Sequence, residues 1–173
     1  MTTTEKNIAI IPVNMRHGFY EFFLWFAVIS LGLWVGGTLF HILVIQPLWT
    51  TNPPVSVNFF FTKTTFNKTI WNFFGPPWMA ARLIPLLLCI LIGWKEAGSQ
   101  KLYLVVAGVC WIFITIYTLA FIYPINDILF KKAAENYPAE FVKELVKKWL
   151  FADRLRFVIG TAGYLCLLHV FRD

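Results

Sequence analysis

Four long apolar runs constrain the fold of this chain more than any other feature of its sequence. They cover about residues 19–45, 78–94, 102–123 and 151–171. Each run approaches or exceeds the ~20 residues that an α-helix needs to cross the hydrocarbon core of a bilayer. Only 14% of the residues are charged, against roughly 25% in an average soluble domain. The sequence therefore predicts an integral membrane protein with one four-helix domain over residues 1–173.

The segments that join these runs differ in character. Residues 95–101 read KEAGSQK, a tight turn in which Gly98 is well placed to end a helix. Residues 47–77 mix Phe and Trp with Thr, Asn and Pro, a composition typical of a loop in the membrane interface. Residues 139–150 carry an apolar residue every four positions with lysines between them, at Phe141, Leu145 and Trp149.

The fold class that follows is an all-α membrane protein. We expect an antiparallel bundle of four transmembrane helices, with an amphipathic extension of the fourth helix and a long interfacial loop between helices 1 and 2. The first twenty residues lack the apolar length and the cleavage pattern of a signal peptide, so helix 1 should act as an uncleaved anchor. Seven basic residues flank the helices on the side of the two long connections and five on the other side. This difference places both termini outside, in the cytoplasmic membrane if the chain is bacterial.

Charge and cysteine content narrow the classes of partner. The net charge of +6 favours contact with anionic membrane lipid. No basic segment with interleaved aromatic residues lies outside the apolar runs, so nucleic acid is not an expected partner. The three cysteines lie in three different runs without a C-x-x-C pair, which argues against a disulfide framework or a zinc site. Self-association into a homo-oligomer stays open.

The fourth run begins with charged residues that share one stripe of the helix. The stripe follows spacings of four, three, four and three residues through Trp149, Asp153, Arg156, Gly160 and Gly163. Two glycines on one stripe predict a closely packed neighbouring helix, so the charged end of the stripe should point into the bundle.

Alternating helix directions bring further polar side chains to the same membrane face, at His41, Arg82, Asn126 and Asp127. Ionisable residues inside a membrane are costly and mark functional sites. The competing interpretation is that Asp153 and Arg156 form an ion pair that only fixes helix register. His17 and His169 fall on the opposite face, which excludes bis-histidine haem ligation with His41.

Three short stretches resemble a known family. They are WVGGTLFHILVIQP (34–47), YPIND (123–127) and the pattern W-x-x-x-D-R-x-R (149–156). Together they resemble the four-helix membrane family, largely of unknown function, that includes the fungal anthrone oxygenases. The residues that match its motifs are Gly37, Pro47, Pro124, Asn126, Trp149 and Arg156.

The sequence departs from that family at one point of chemical interest. Asp153 and Arg154 stand where members often have Asn and His. If that histidine transfers protons in the oxygenases, only His41 could replace it here. The resemblance implies an oxygenase that needs no metal and no organic cofactor, and the sequence contains no dinucleotide-binding fingerprint.

Two hypotheses of function follow. In the first, the protein is a membrane-embedded oxidoreductase, similar to the anthrone oxygenases, that acts on a lipophilic aromatic or quinone-like molecule. His41 or Asp153 would abstract a proton, and Arg156 with Arg82 would stabilise the developing oxyanion. The residues expected to bind the substrate are Trp34, Phe40, Trp78, Arg82, Asn126, Asp127 and Trp149.

In the second hypothesis the protein is a non-enzymatic membrane module. It would bind a lipid headgroup at Arg82, Arg154 and Arg156, or support a larger membrane complex. His41 distinguishes the two hypotheses, because lipid binding needs the arginines but no titrating imidazole.

Overall fold

The computed structural model describes residues 13–64, 72–94, 97–131 and 134–172. Helix α1 begins as Val13–Phe40, continues as a π-helical stretch, His41–Ile45, and ends with Gln46–Thr50. A short helix, α2, covers Val55–Thr62, and α3 covers Pro76–Gly93. Helix α4 begins as Lys101–Tyr117 and continues through Thr118–Ile122, Tyr123–Asn126 and Asp127–Lys131. Helix α5 covers Ala139–Arg172.

Four of these helices, α1, α3, α4 and α5, are long and apolar enough to cross a membrane, which confirms the predicted fold class. Contacts across the bundle show that consecutive long helices run in opposite directions. The end of α3 meets the start of α1, where Gly93 lies against the Tyr20 ring. The end of α5 likewise meets the start of α4, where His169 packs 4.1 Å from Tyr103 between ring centroids. Gly98 has φ +49°, so the turn before α4 uses the conformational freedom that glycine provides.

The glycine stripe of α5 lies at helix–helix contacts, as predicted. A Cβ atom on Gly160 would stand 2.6 Å from Cζ3 of Trp34, on α1. A Cβ atom on Gly163 would stand 2.8 Å from Cβ of Cys110, on α4. Both distances are shorter than van der Waals contact, so a side chain at either position would have to displace its neighbour on the facing helix.

Two prolines account for π-helical stretches in α1 and α4. Pro47 follows the stretch in which the Gln46 amide donates to the His41 carbonyl, and Pro124 follows the one in which the Tyr123 amide donates to the Thr118 carbonyl. Proline has no amide hydrogen and its ring collides with the carbonyl four residues earlier, so the preceding turn widens. Such π-turns occur frequently at functional sites.

The segment 47–77, predicted as an interfacial loop, is partly helical. Its aromatic residues do not all lie on a surface: Trp49 is fully buried, with ring centroids 5.4 Å from Phe61, 5.7 Å from Phe130 and 5.1 Å from Trp149. These rings belong to a second hydrophobic core, outside the main bundle core, formed by α2, the end of α4 and the start of α5. Residues 65–71 of the expected loop lie outside the described residues.

The amphipathic extension of the fourth helix is confirmed, because α5 is continuous from Ala139. Its buried face differs from the expected one: Phe141 is exposed, whereas Val142, Leu145, Val146 and Trp149 are buried. The helix faces α2 and the end of α4 instead of a flat membrane surface. Burial therefore follows the three- and four-residue spacings of helix packing.

Replacement of Gly163 by leucine tests the close contact between α4 and α5. We expect the variant to lose about 1–3 kcal/mol of stability, because the added side chain overpacks against Cys110 and Trp111. Thermal unfolding in detergent measures the loss. Gly36→Leu is the matched control, since no atom lies within 4 Å of a Cβ at Gly36. Equal unfolding temperatures for the two variants would contradict the packing.

Replacement of Trp49 by alanine tests the second core. Removal of this fully buried ring should cost about 3–5 kcal/mol and detach α2 from the start of α5. Amide hydrogen exchange measures the change: exchange in Val55–Thr62 and in residues 139–150 should accelerate, while exchange in the main bundle stays slow. If every exchange rate in the variant equals that of the parent protein, α2 is held by other contacts.

Candidate functional site

A buried carboxylate on α5, Asp153, lies at the centre of a polar cluster. Arg156 Nε donates to Asp153 Oδ1 at 2.7 Å, and Arg156 Nη2 lies 2.6 Å from the same oxygen. Gln46 Nε2 donates to Asp153 Oδ2 at 2.5 Å. His41 Nδ1 lies 3.6 Å from Oδ2, within ion-pair distance but beyond a hydrogen bond. We call these four residues, all buried, the Asp153 cluster.

Local helix geometry brings the four residues together. Asp153 and Arg156 are three residues apart on α5 and therefore share a face. His41 and Gln46 are five residues apart, which in an α-helix would separate them by about 140° around the axis. The π-helical stretch between them rotates through fewer degrees about the helix axis per residue, so both side chains face Asp153. Pro47 thus contributes to the site through the shape of α1.

Aromatic rings enclose the His41 side chain. Its ring centroid lies 5.7 Å from that of Trp149 and 5.9 Å from that of Phe74. Trp149 is held in turn by Asn126, whose Oδ1 accepts a 2.6 Å hydrogen bond from Trp149 Nε1. His41 Nδ1 is buried without a hydrogen-bond partner among the described residues. Because Nδ1 faces the Asp153 carboxylate, Nε2 is the imidazole nitrogen left to exchange a proton with a bound molecule.

A second buried arginine, Arg82 on α3, lies beside the cluster. Arg82 and Arg156 line the same cavity of about 20 Å³. The Arg156 guanidinium carbon is 5.9 Å from the ring centroids of both Trp34 and Phe74. The remaining lining residues come mainly from α3 and α4: Met79, Leu83, Trp111, Ile114, Thr115 and Thr118. The cavity walls are therefore mainly apolar and aromatic, with two threonines and two arginines among the lining residues.

The cations outnumber the carboxylate. Asp153 neutralises Arg156, but in the described part of the chain Arg82 takes part in no hydrogen bond or ion pair and is only 5% exposed. An unpaired buried charge is unfavourable. The arrangement can thus accept a negatively charged oxygen from a bound molecule.

Seven of the ten predicted site residues come together here: Trp34, His41, Arg82, Asn126, Trp149, Asp153 and Arg156. Of these seven, Trp34, Arg82 and Arg156 line the cavity. The other three predicted residues lie outside both the Asp153 cluster and the cavity. Phe40 is 57% exposed on the outer side of α1, because one residue from His41 is about 100° around the helix. Trp78 is 44% exposed and does not line the cavity. The Asp127 side chain is half-exposed, and its Oδ1 lies 2.6 Å from Lys131 Nζ.

The sequence analysis did not identify several residues that form the candidate site. Gln46 carried a detectable signal, since it is a polar residue inside an apolar run directly before a proline. Trp111 has its ring 4.9 Å from that of Trp34, but one aromatic residue among many in α4 gives no distinguishing pattern. Phe74 lies in the segment expected to be a loop, so nothing in its neighbourhood indicated a cavity wall.

The remaining histidines lie at the other end of the bundle, as predicted. His17 Nε2 is 3.2 Å from Glu21 Oε1, and His169 packs on Tyr103. Across residues 13–64, 72–94, 97–131 and 134–172, no three His, Cys, Asp or Glu side chains come close enough together to hold a metal ion. The Asp153 cluster with Arg82 and its cavity is therefore the candidate site.

Comparison with known proteins identifies the family of this chain. The family model described as anthrone oxygenase matches residues 63–166, which is more than half of the chain. The match includes α3, α4 and most of α5, with Arg82, Asn126, Asp153 and Arg156, whereas α1 with His41 and Gln46 precedes it. No curated protein and no solved structure matches the chain. Because the family model covers more than half of the chain, the chain belongs to the anthrone oxygenase family.

Proposed function

We propose that the protein is a multi-pass membrane oxidoreductase that oxygenates a lipophilic aromatic or quinone-like molecule at the Asp153 cluster. The observation that carries the proposal is a buried His41–Asp153 pair beside two buried arginines, in a chain of the anthrone oxygenase family. The substrate would reach the site from the lipid, since the cavity lies between helices that can cross a membrane.

The chemistry starts with removal of a proton. An anthrone has a methylene group opposite a ring carbonyl, and loss of one methylene proton gives an anion with its charge on the ring oxygen. This electron-rich anion can react with molecular oxygen. In the complete reaction the methylene becomes a second carbonyl, one oxygen atom stays in the product, and the other leaves as water. The protein must therefore supply a base and stabilise an oxyanion.

His41 is a better candidate for the base than Asp153. Both carboxylate oxygens of Asp153 already accept hydrogen bonds or ion pairs, from Arg156 at Oδ1 and from Gln46 at Oδ2. His41 Nδ1 faces Oδ2 at 3.6 Å, so Nε2 is the imidazole nitrogen that would take the proton from the substrate. Asp153 would then orient the imidazole and stabilise the imidazolium that forms, as the carboxylate does in a catalytic triad.

Arg82 and Arg156 would bind the oxygen on which negative charge develops. Donors fixed in a water-poor environment stabilise such charge strongly, and the indole walls from Trp34 and Trp111 suit a flat aromatic ring. The cavity of about 20 Å³ is far below the roughly 300–1,000 Å³ of typical ligand pockets. Binding therefore requires side chains to move, and Met79, with three rotatable bonds, is the most adaptable lining residue.

Replacement of His41 by glutamine tests the proposal. In lipid nanodiscs, oxygen uptake and anthraquinone absorbance with 1,8-dihydroxyanthrone measure the rate above that of empty nanodiscs. The parent protein should accelerate the reaction. The variant should lose about 10²-fold or more of that rate, since a general base contributes on this scale. Thermal unfolding checks that the variant is folded.

His17→Gln is the matched control, because His17 is exposed at the opposite end of the bundle. It should keep the parent rate. A parent protein no faster than empty nanodiscs, or a His41 variant with the parent rate, would contradict the proposed oxygenase.

A second candidate function, a non-enzymatic module that binds anionic lipid, is favoured by Arg154. This residue is exposed on α5, one helical position from the buried Asp153. Binding of phosphatidylglycerol vesicles separates the two functions: a lipid module loses binding with Arg154→Gln and keeps it with His41→Gln. An oxygenase instead loses its oxidation rate with His41→Gln and keeps it with Arg154→Gln.

A further inference from the structure

The buried site contains one more positive charge than negative charge. Arg82 and Arg156 each carry a permanent charge, because guanidinium groups are not deprotonated in proteins, and Asp153 is the only carboxylate among the described residues that contacts either of them. With a neutral His41 the balance is one positive charge. Buried charge without a partner is destabilising, so the empty site is electrostatically incomplete.

The excess charge belongs to Arg82 in particular. Arg156 uses Nε and Nη2 to bind Asp153 Oδ1. Arg82 lines the cavity, is 5% exposed and pairs with no described residue. A buried guanidinium that borders a cavity without a counter-ion is positioned to bind an anionic group from outside the protein.

The cavity walls indicate what carries the anionic group. Three of the lining residues have aromatic rings, Trp34, Phe74 and Trp111, and the Trp34 and Trp111 rings pack at 4.9 Å. Leu83 and Ile114 add aliphatic surface. Besides the two arginines, the polar side chains of the wall are Thr115 and Thr118. Two hydroxyls are too few to replace the water shell of a hydrated headgroup, whereas a flat aromatic ring gains contact area.

We propose that the site binds its ligand as a lipophilic aromatic monoanion, an ionised phenol or an aromatic carboxylate, whose single negative charge pairs with Arg82. This inference rests on the site of the proposed function and adds the charge state and class of the bound molecule. A neutral aromatic molecule of the same shape leaves Arg82 unpaired. A phosphate dianion brings one negative charge more than the site can balance.

A fluorescent monoanion tests the inference. We would titrate 9-anthracenecarboxylate into the protein in phosphatidylcholine nanodiscs, with empty nanodiscs as the background, and follow energy transfer from tryptophan to anthracene. The neutral 9-anthracenemethanol, of similar shape, should bind about tenfold more weakly or worse, because it offers no charge to Arg82. Dodecanoate, an aliphatic monoanion, and 9-anthracenephosphonate, a dianion at high pH, should both compete poorly.

Arg82→Gln should weaken 9-anthracenecarboxylate binding about tenfold or more and remove the preference over 9-anthracenemethanol. The unliganded variant should unfold at the same temperature as the parent or higher, since a buried unpaired charge is gone. Arg172→Gln, which removes an exposed arginine at the opposite end of α5, should keep the parent affinity.

Three results would overturn the inference: equal affinities for the anionic and neutral anthracenes, unchanged affinity in the Arg82 variant, or effective competition by dodecanoate. A lower unfolding temperature for unliganded Arg82→Gln would also contradict it, by showing that Arg82 supports the fold. These outcomes are separate from failure of the oxygenase. If binding depends on Arg82 but no oxygen is taken up, only the proposed oxygenase activity is contradicted. If oxygen is taken up but the protein does not prefer the anion, only this inference is contradicted.

Discussion

The buried carboxylate of Asp153 is the interaction on which the rest of the structure depends. A charge among helices of a membrane is stable only when it is paired and hydrogen-bonded. Arg156 and Gln46 satisfy its two oxygens, and His41 lies beside the second one. Because these partners come from α1 and α5, the pairing requirement sets how the two helices face each other.

Other features of the fold support this arrangement. Pro47 widens the last part of α1 so that His41 and Gln46 both reach Asp153. Gly160 lets the Trp34 ring contact the backbone of α5 one turn beyond Arg156. The second core, around Trp49 and Trp149, packs on the charged end of the stripe and keeps it away from water. Each of these residues would be replaceable in a bundle that only had to cross a membrane.

Much of this could be predicted from the sequence, and the parts that could not have physical reasons. Apolar length located the four long helices, and the spacing from Trp149 to Gly163 located the packed stripe, because both depend on helix periodicity alone. The burial of Trp49 and the helix at Val55–Thr62 depend on contacts between distant segments, which a composition typical of the membrane interface does not reveal. Gln46 reaches Asp153 through a π-turn, which apolar periodicity does not reveal.

The central claim is that the charged pair on α5 acts on a bound molecule, in addition to setting how α1 and α5 face each other. The most direct test compares thermal unfolding and anthrone oxidation in Arg156→Leu and in the double variant Asp153→Leu/Arg156→Leu. The single variant leaves Asp153 without its arginine and should lose about 3–5 kcal/mol of stability. The double variant should recover most of that stability and show no oxidation above empty nanodiscs. A double variant that is stable and oxidises anthrone at the parent rate would contradict the account.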